Sequence, residues 1–184
     1  MVKLGRESLM ATDLYFRQLI QDLRAEGVRL NESNQVTGHC MYFDEPNVFQ
    51  IVVLDRKIVR LANSKLQKLG FVRRCEFNQV NTHAHISVVS DEDFNKVDHD
   101  SAIKIKTKYQ DTPCLVTLMG LGIYTFGDDF VAGIEVHVEG LNEIRLEAGL
   151  EELRSPHITT SYMHGSVFKK GFKNVMAKCK QHRM

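Results

Sequence analysis

Two short stretches of the sequence carry nearly the same phrase: "NTHAHISVVSDED" (residues 81–93) and "SPHITTSYM" (residues 155–163). Each places a histidine, an isoleucine and a hydroxyl residue in that order, and the second histidine follows the first by 72 residues. Both stretches are rich in residues that favour β-strands. A phrase written once in each half of the chain indicates an internal repeat, so the segments around the two stretches decide the fold.

The segments that precede the two stretches also repeat. In the first half, "VFQIVVL" (48–54) predicts a buried strand, and apolar residues at helical spacing predict a helix over 56–69, closed by Gly70. In the second half, "CLVTLMGLGIYTF" and "VAGIEVHV" flank a Gly-Asp-Asp turn and predict a hairpin, followed by a helix over 141–153. Each half therefore runs strand, helix, histidine-bearing strand. This is a repeat of supersecondary structure and not of sequence.

The remaining segments are simpler. Apolar spacing predicts an amphipathic helix over residues 7–26, ending at Gly27. "NESNQVTGH" (31–39) is typical of a loop, and "FVRRCEF" (71–77) of a strand. Residues 90–93 resemble a capping box that starts a short helix, and the polar stretch from there to about residue 112 has no clear pattern.

The composition excludes several classes of protein. With 184 residues, 43% hydrophobic and 26% charged, the chain fits one soluble globular domain. Its apolar runs are shorter than the roughly 20 residues that cross a bilayer, and its first residues lack a secretory h-region. We therefore expect a cytoplasmic protein without membrane contact. The four cysteines form no C-x-x-C pair, so the sequence indicates neither a zinc ribbon nor a disulfide framework.

The charge is uneven along the chain although the formal net charge is only +1. Every charged residue after Glu152 is basic, and there are seven of them. Such a segment favours an anionic partner, nucleic acid or phosphate, through counterion release. A solubilising tail is the alternative interpretation.

The paired phrases have a direct chemical interpretation. Side chains i and i+2 of a strand share a face, so we expect His85 beside Ser87 and His157 beside Thr159. If the halves pack around a pseudo-twofold axis, two imidazoles and two hydroxyls meet across a cleft. A neutral histidine can then take a proton from an oxygen attacking a phosphodiester, while a protonated histidine gives one to the leaving oxygen. The hydroxyls can donate to the non-bridging oxygens, and this chemistry requires no metal or cofactor.

At these residues the chain resembles a known family. "AHISVV" and "PHITTS" look like the paired H-x-[ST] motifs of the 2H phosphoesterase superfamily, which includes 2′-5′ RNA ligase-like proteins and cyclic nucleotide phosphodiesterases. "LMGLGIYTF", "VHV" and "LEAGLEEL" before "PHIT" are similar to its second lobe. The resemblance covers roughly residues 47–163 of a single domain. It leaves 1–46 as an N-terminal helical extension and 164–184 as a basic C-terminal segment.

The resemblance implies a bilobal α+β fold, with two pseudo-twofold-related antiparallel sheet lobes, outer helices and a central cleft. It also implies metal-independent phosphodiester chemistry on a nucleotide or short RNA substrate. Family substrates include 2′,3′-cyclic phosphates, 2′-5′ linked or cyclic oligonucleotides and immune signalling nucleotides. By motif match, His85 and His157 take the acid/base positions, and Ser87 and Thr159 bind phosphate.

Other interpretations stay open. His83 is in phase with His85. It is interpreted as a spectator at the cleft rim, a candidate substrate contact or, with His85, part of a metal-dependent hydrolase site completed by His157 or His164. Tyr124 and Phe126 are candidates for stacking on a base, whereas strand alternation places Tyr162 on the face opposite His157, in the core. A third class is a module that binds nucleotides or RNA ends without turning them over.

Overall fold

The computed structural model describes residues 6–44, 47–67, 72–73, 84–126 and 129–164. The side chains of 6–12, 72–73, 124–126, 129–130 and 162–164 lie outside this description. The described helices are α1 (Arg6–Ala25), α2 (Lys57–Gln67), α3 (Asp91–Phe94), α4 (His99–Tyr109) and α5 (Leu141–Glu147). The described strands are β1 (Gln35–Phe43), β2 (Val48–Val53), β3 (Val72–Arg73), β4 (Ala84–Val89), β5 (Pro113–Phe126), β6 (Asp129–Val138) and β7 (His157–His164).

The strands form one antiparallel sheet whose order reflects the repeat. The order is β3-β7-β6-β5-β1-β2-β4, and β3 is a two-residue strand on the far side of β7. The six longer strands divide at the β1–β5 pair into two matching halves: hairpin β1-β2 followed by β4, and hairpin β5-β6 followed by β7. β4 and β7, at opposite ends of this order, contact each other, so the sheet curls into a near-barrel. The α+β fold with two pseudo-twofold halves is confirmed.

One face of the sheet forms the hydrophobic core. Ile86 of β4 and Ile158 of β7 are both fully buried, and they pack in one cluster with Leu19 and Leu23 of α1 and Ile58 of α2. Burying a side chain of this size contributes about 1.5–3 kcal/mol. The isoleucine of each repeated phrase is therefore the core anchor. Since strand side chains alternate, it turns the histidine and the hydroxyl of its motif to the opposite face.

Several sequence predictions hold, among them the hairpin and the short helix after β4, where the Ser90 hydroxyl accepts a hydrogen bond from the Asp93 amide at 3.1 Å. The loop predicted over residues 31–39 is wrong from Gln35 onward, because β1 lies at the centre of the sheet. Val36, Gly38 and Cys40 alternate toward the core. At Gly38 an added Cβ would lie only 2.7 Å from the Ile51 side chain, so close packing requires the glycine that made the segment look like a loop.

Two helices also differ from the expectation. The polar stretch without a pattern contains α4, in which Ile105 is the fully buried residue and Asp98 caps the first turn by accepting from the Ser101 amide at 2.9 Å. Helix α5 ends at Glu147 instead of 153, and Gly149 follows it with a φ of +73°. β1 lies within the predicted N-terminal extension, whose boundary at residue 46 stays a prediction. The basic residues from 165 onward are outside the described part of the chain.

In the described ranges, no helix is both long and apolar enough to cross a membrane.

Candidate active site

The first motif lies on β4, at one end of the sheet order. His85 is opposite Val52 of β2, and Ser87 is opposite Gln50. The His85 side chain is only 5% exposed, whereas Ser87 is exposed. A bulge after Ser87 breaks the pairing with β2, because Phe49 is opposite Val89 while Gln50 is opposite Ser87. The bulge bends the strand just past the motif, as bulges commonly do near functional sites.

The second motif starts β7, at the opposite end of the order. His157 is opposite Glu135 of β6 and Thr159 is opposite Gly133, and both motif side chains are half-buried. The Nδ1 atom of His157 lies 2.9 Å from the Ser155 carbonyl oxygen. Because a carbonyl only accepts, Nδ1 must carry a hydrogen, and in the neutral ring the lone pair is then on Nε2. This hydrogen bond orients the ring and leaves Nε2 as the nitrogen with a lone pair in the neutral form.

Gly133 is required beside this histidine. A Cβ added there would lie 2.7 Å from the Ile158 carbonyl oxygen and 3.2 Å from Cδ2 of His157. The first distance is shorter than real Cβ contacts, and the atom it meets is backbone that cannot easily move. The glycine therefore lets the His157 ring and the β7 backbone approach β6 closely.

The two motifs meet in one small cavity. Its lining consists of His85, Ser87, Leu153, Ser155, His157 and Thr159, and its volume is about 150 Å³. At ~30 Å³ per water molecule, the cavity has room for a group of phosphate size. The structure thus brings together all four residues predicted from the paired phrases. Their roles in acid/base chemistry and phosphate binding stay predictions.

Arg145 of α5 braces the β4 side of this cavity. It is 7% exposed, and its guanidinium donates to the carbonyl of Val88, to Asp93 at 3.1 Å and to the Glu151 carbonyl at 2.7 Å. Val88 follows Ser87, and Glu151 belongs to the loop that leads to Leu153 and Ser155. One buried cation therefore connects β4 and α3 of the first half with the loop after α5 of the second half.

The partner carboxylate of this cation is held in its charged form. Partial burial alone would raise the pKa of Asp93, but the hydrogen bond and charge of Arg145, together with the Ser90 cap, hold that pKa below its ordinary value. Asp93 is therefore the anion that balances Arg145 at neutral pH.

Gln50 is a buried polar residue beside the first motif that the sequence analysis did not single out. It is 7% exposed and lies directly opposite Ser87 on β2, a strand whose other residues are all apolar. A single amide within the run "VFQIVVL" was a usable signal, because a buried polar side chain in a core strand needs a reason. Its amide can donate hydrogen bonds next to those of Ser87.

The other candidates remain untested by the geometry. His83 lies outside the described residues, as do the side chains of Tyr124 and Phe126, although β5 carries the latter two. The argument that placed Tyr162 in the core assumed unbroken alternation along β7. A register shift opposite Ala132 and Gly133 interrupts it before Tyr162 pairs with Val131. Within the described ranges, no three His, Cys, Asp or Glu side chains cluster in an arrangement that could hold a metal ion.

Comparison with known families agrees with this geometry. The family model described as "Swiss Army Knife, 2H phosphoesterase domain" matches residues 48–168, which include β2, both motif strands and the helices between them. The chain belongs to the 2H phosphoesterase family. Neither a curated protein nor a solved structure matches it significantly. For a 2H phosphoesterase domain, the cavity shared by His85 and His157 is the expected place for phosphoester chemistry.

Proposed function

We propose that this 2H phosphoesterase is a metal-independent phosphodiesterase that acts on a small nucleotide or RNA-like substrate. The observation that carries the proposal is the single cavity in which His85 from one end of the sheet order meets His157 from the other. Candidate substrates are 2′,3′-cyclic phosphates and 2′-5′ linked or cyclic oligonucleotides, including signalling nucleotides.

The proposed step uses the two imidazoles as a coupled acid and base. A water oxygen forms a bond to phosphorus while a neutral histidine removes its proton. The bond from phosphorus to the leaving oxygen breaks, and the protonated second histidine gives that oxygen a proton. No electron transfer occurs, and the two rings have exchanged protonation states at the end. Proton exchange with solvent restores them.

The hydroxyls stabilise the charge that develops during the step. Ser87 and Thr159 line the same cavity as the imidazoles, so each can donate to a non-bridging oxygen of the phosphorane. Donors fixed by strand backbones need little reorganisation during the reaction, which is why this placement favours catalysis over simple phosphate binding.

The test is a substrate panel with product identification by mass spectrometry. Purified protein is incubated with 2′,3′-cyclic nucleotides, 2′-5′ oligoadenylates and cyclic oligonucleotides, with and without EDTA. We expect turnover of at least one class, unchanged by EDTA and about 10²- to 10⁴-fold slower in His157→Ala. His99→Ala is the matched control, since His99 is an exposed residue at the start of α4, away from the cavity lining.

The other outcomes identify the rival functions. Tight binding without product would replace the proposal with a nucleotide-binding or RNA-end-binding module. Loss of turnover in EDTA, restored by a divalent cation, would replace it with a metal-dependent hydrolase.

A further inference from the structure

A second, larger depression adjoins the reactive cavity. Its volume is about 570 Å³, and its walls are Met119, residues 135–143 and residues 153–156. We call it the β6 groove. It shares Leu153 and Ser155 with the reactive cavity, so the two lie side by side. Its volume lies in the range of small-molecule sites, whereas the reactive cavity has room for little more than a phosphate.

The register of β6 shows where the groove begins. Glu135 is directly opposite His157, and His137, two residues further along β6, shares its face. From the His157 ring the groove therefore runs along β6 and away from Thr159, toward the start of α5. A phosphodiester held between the two histidines would extend one of its substituents into this space.

The charges of the groove restrict which substituent fits. Glu135, Glu139 and Glu143 are exposed carboxylates in its lining, against the single guanidinium of Arg154. A second phosphate close to these carboxylates would be repelled by them even in water. Ribose hydroxyls and base amino groups, by contrast, are hydrogen-bond donors that carboxylates accept.

We infer that the β6 groove binds the phosphate-free part of the substrate, a single nucleoside or a comparably sized alcohol rich in hydrogen-bond donors, and disfavours a further phosphate beside the reacting one. This inference rests on the proposed function. Within the proposed substrate classes it selects a nucleoside cyclic monophosphate over an oligonucleotide.

The test compares a nucleoside 2′,3′-cyclic phosphate with the same compound bearing a 5′-phosphate. In the wild type we expect the added phosphate to lower kcat/KM about tenfold, mainly through KM, and high salt to reduce the difference. In the double variant Glu139→Gln/Glu143→Gln the ratio should fall to about threefold or less. The matched control is Glu151→Gln/Glu152→Gln, which removes two exposed carboxylates outside the groove lining and should leave the ratio near ten.

Equal kcat/KM for the two compounds in the wild type, or a ratio unaffected by Glu139→Gln/Glu143→Gln, would overturn the inference. A binding experiment separates this outcome from failure of the proposed function. Calorimetric Kd values for a nucleoside 2′-phosphate and its 2′,5′-bisphosphate require no turnover. A protein that turns over neither cyclic compound but binds the bisphosphate about tenfold more weakly refutes phosphodiesterase activity on this substrate class and supports the inferred selectivity of the groove. Equal Kd values refute that selectivity.

Discussion

The two motif strands carry the same phrase in different surroundings. On β4, His85 is almost fully buried and Ser87 lies opposite Gln50. Arg145 donates a hydrogen bond to the Val88 carbonyl of the same strand. On β7, His157 is half-buried, and Thr159 lies opposite Gly133. The repeated motif determines which side chains line the cavity, and the neighbouring strands determine how buried each of them is. On the β4 side the histidine is buried, whereas on the β7 side the histidine lies beside the β6 groove, where a substrate has room.

The largest effect expected is the loss of either imidazole. His85→Ala and His157→Ala should each lower kcat about 10²- to 10⁴-fold, because each removes one of two coupled proton transfers. Because the two imidazoles act as a unit, kcat of the double variant should be little lower than that of the more damaged single variant. Steady-state kinetics against His99→Ala measures this. Multiplicative losses in the double variant would show that the two rings act independently.

The next prediction concerns the buried hydrogen bonds of Arg145 on the β4 side. Arg145→Met should lower the free energy of unfolding by about 3 kcal/mol, because it leaves Asp93 and two backbone carbonyls without their buried cation. Arg60→Met is the control: Arg60 pairs with Glu26 at the surface, its side chain is 52% exposed, and its loss should cost under about 1 kcal/mol. Urea denaturation gives both values, and equal costs would contradict the bracing role.

The same pair predicts a dependence on pH. The folded-state pKa of Asp93 lies below its ordinary value of 3.8, so its contribution is complete above that value and is lost as the pH falls through the folded pKa. The stability difference between wild type and Arg145→Met should therefore be largest near neutral pH and narrow below about pH 4. A difference independent of pH would show that the brace acts through packing alone.

The hydroxyls should contribute less than the imidazoles. Ser87→Ala and Thr159→Ala should each lower kcat about 10²-fold through loss of one donor to the phosphoryl oxygens. Ser87→Thr and Thr159→Ser should recover most of the activity, because each exchanges the hydroxyl residues that the two motifs already use. If the alanine variants changed stability without changing kcat, the hydroxyls would be structural.

The smallest expected effect concerns Gly133 of β6, which lies opposite Thr159. Gly133→Ala should cost about 1–3 kcal/mol of stability and about tenfold in kcat, because its Cβ would press on the Ile158 carbonyl and the His157 ring. Gly120→Ala is the matched control, since the nearest atom to its Cβ would be a Glu135 carboxylate oxygen at an ordinary 3.7 Å. Thermal unfolding and steady-state kinetics on both variants distinguish local pressure on the histidine from a general cost of replacing glycine in a strand.

The sequence predicted what local periodicity and motif spacing encode. The alternation of His-Ile-hydroxyl identified both motif strands, and the repeat identified the order of elements in each half. The same reasoning failed where the role of a residue depends on packing against segments distant in sequence. Gly38 resembled a loop residue in the sequence. The reason for a glycine there is close packing against side chains of other strands, above all Ile51. The surroundings of Gln50 and Arg145 could not be predicted because their neighbours, Ser87 and Asp93, are distant in sequence.

The central claim, that two imidazoles act on one phosphorus as acid and base, is tested most directly by pH profiles of kcat/KM. These should be measured on one cleaved substrate for the wild type, His85→Ala and His157→Ala. The account predicts a bell-shaped wild-type profile and, in each variant, loss of one limb, with the two variants losing opposite limbs. A bell that keeps both limbs after removal of either histidine would contradict it.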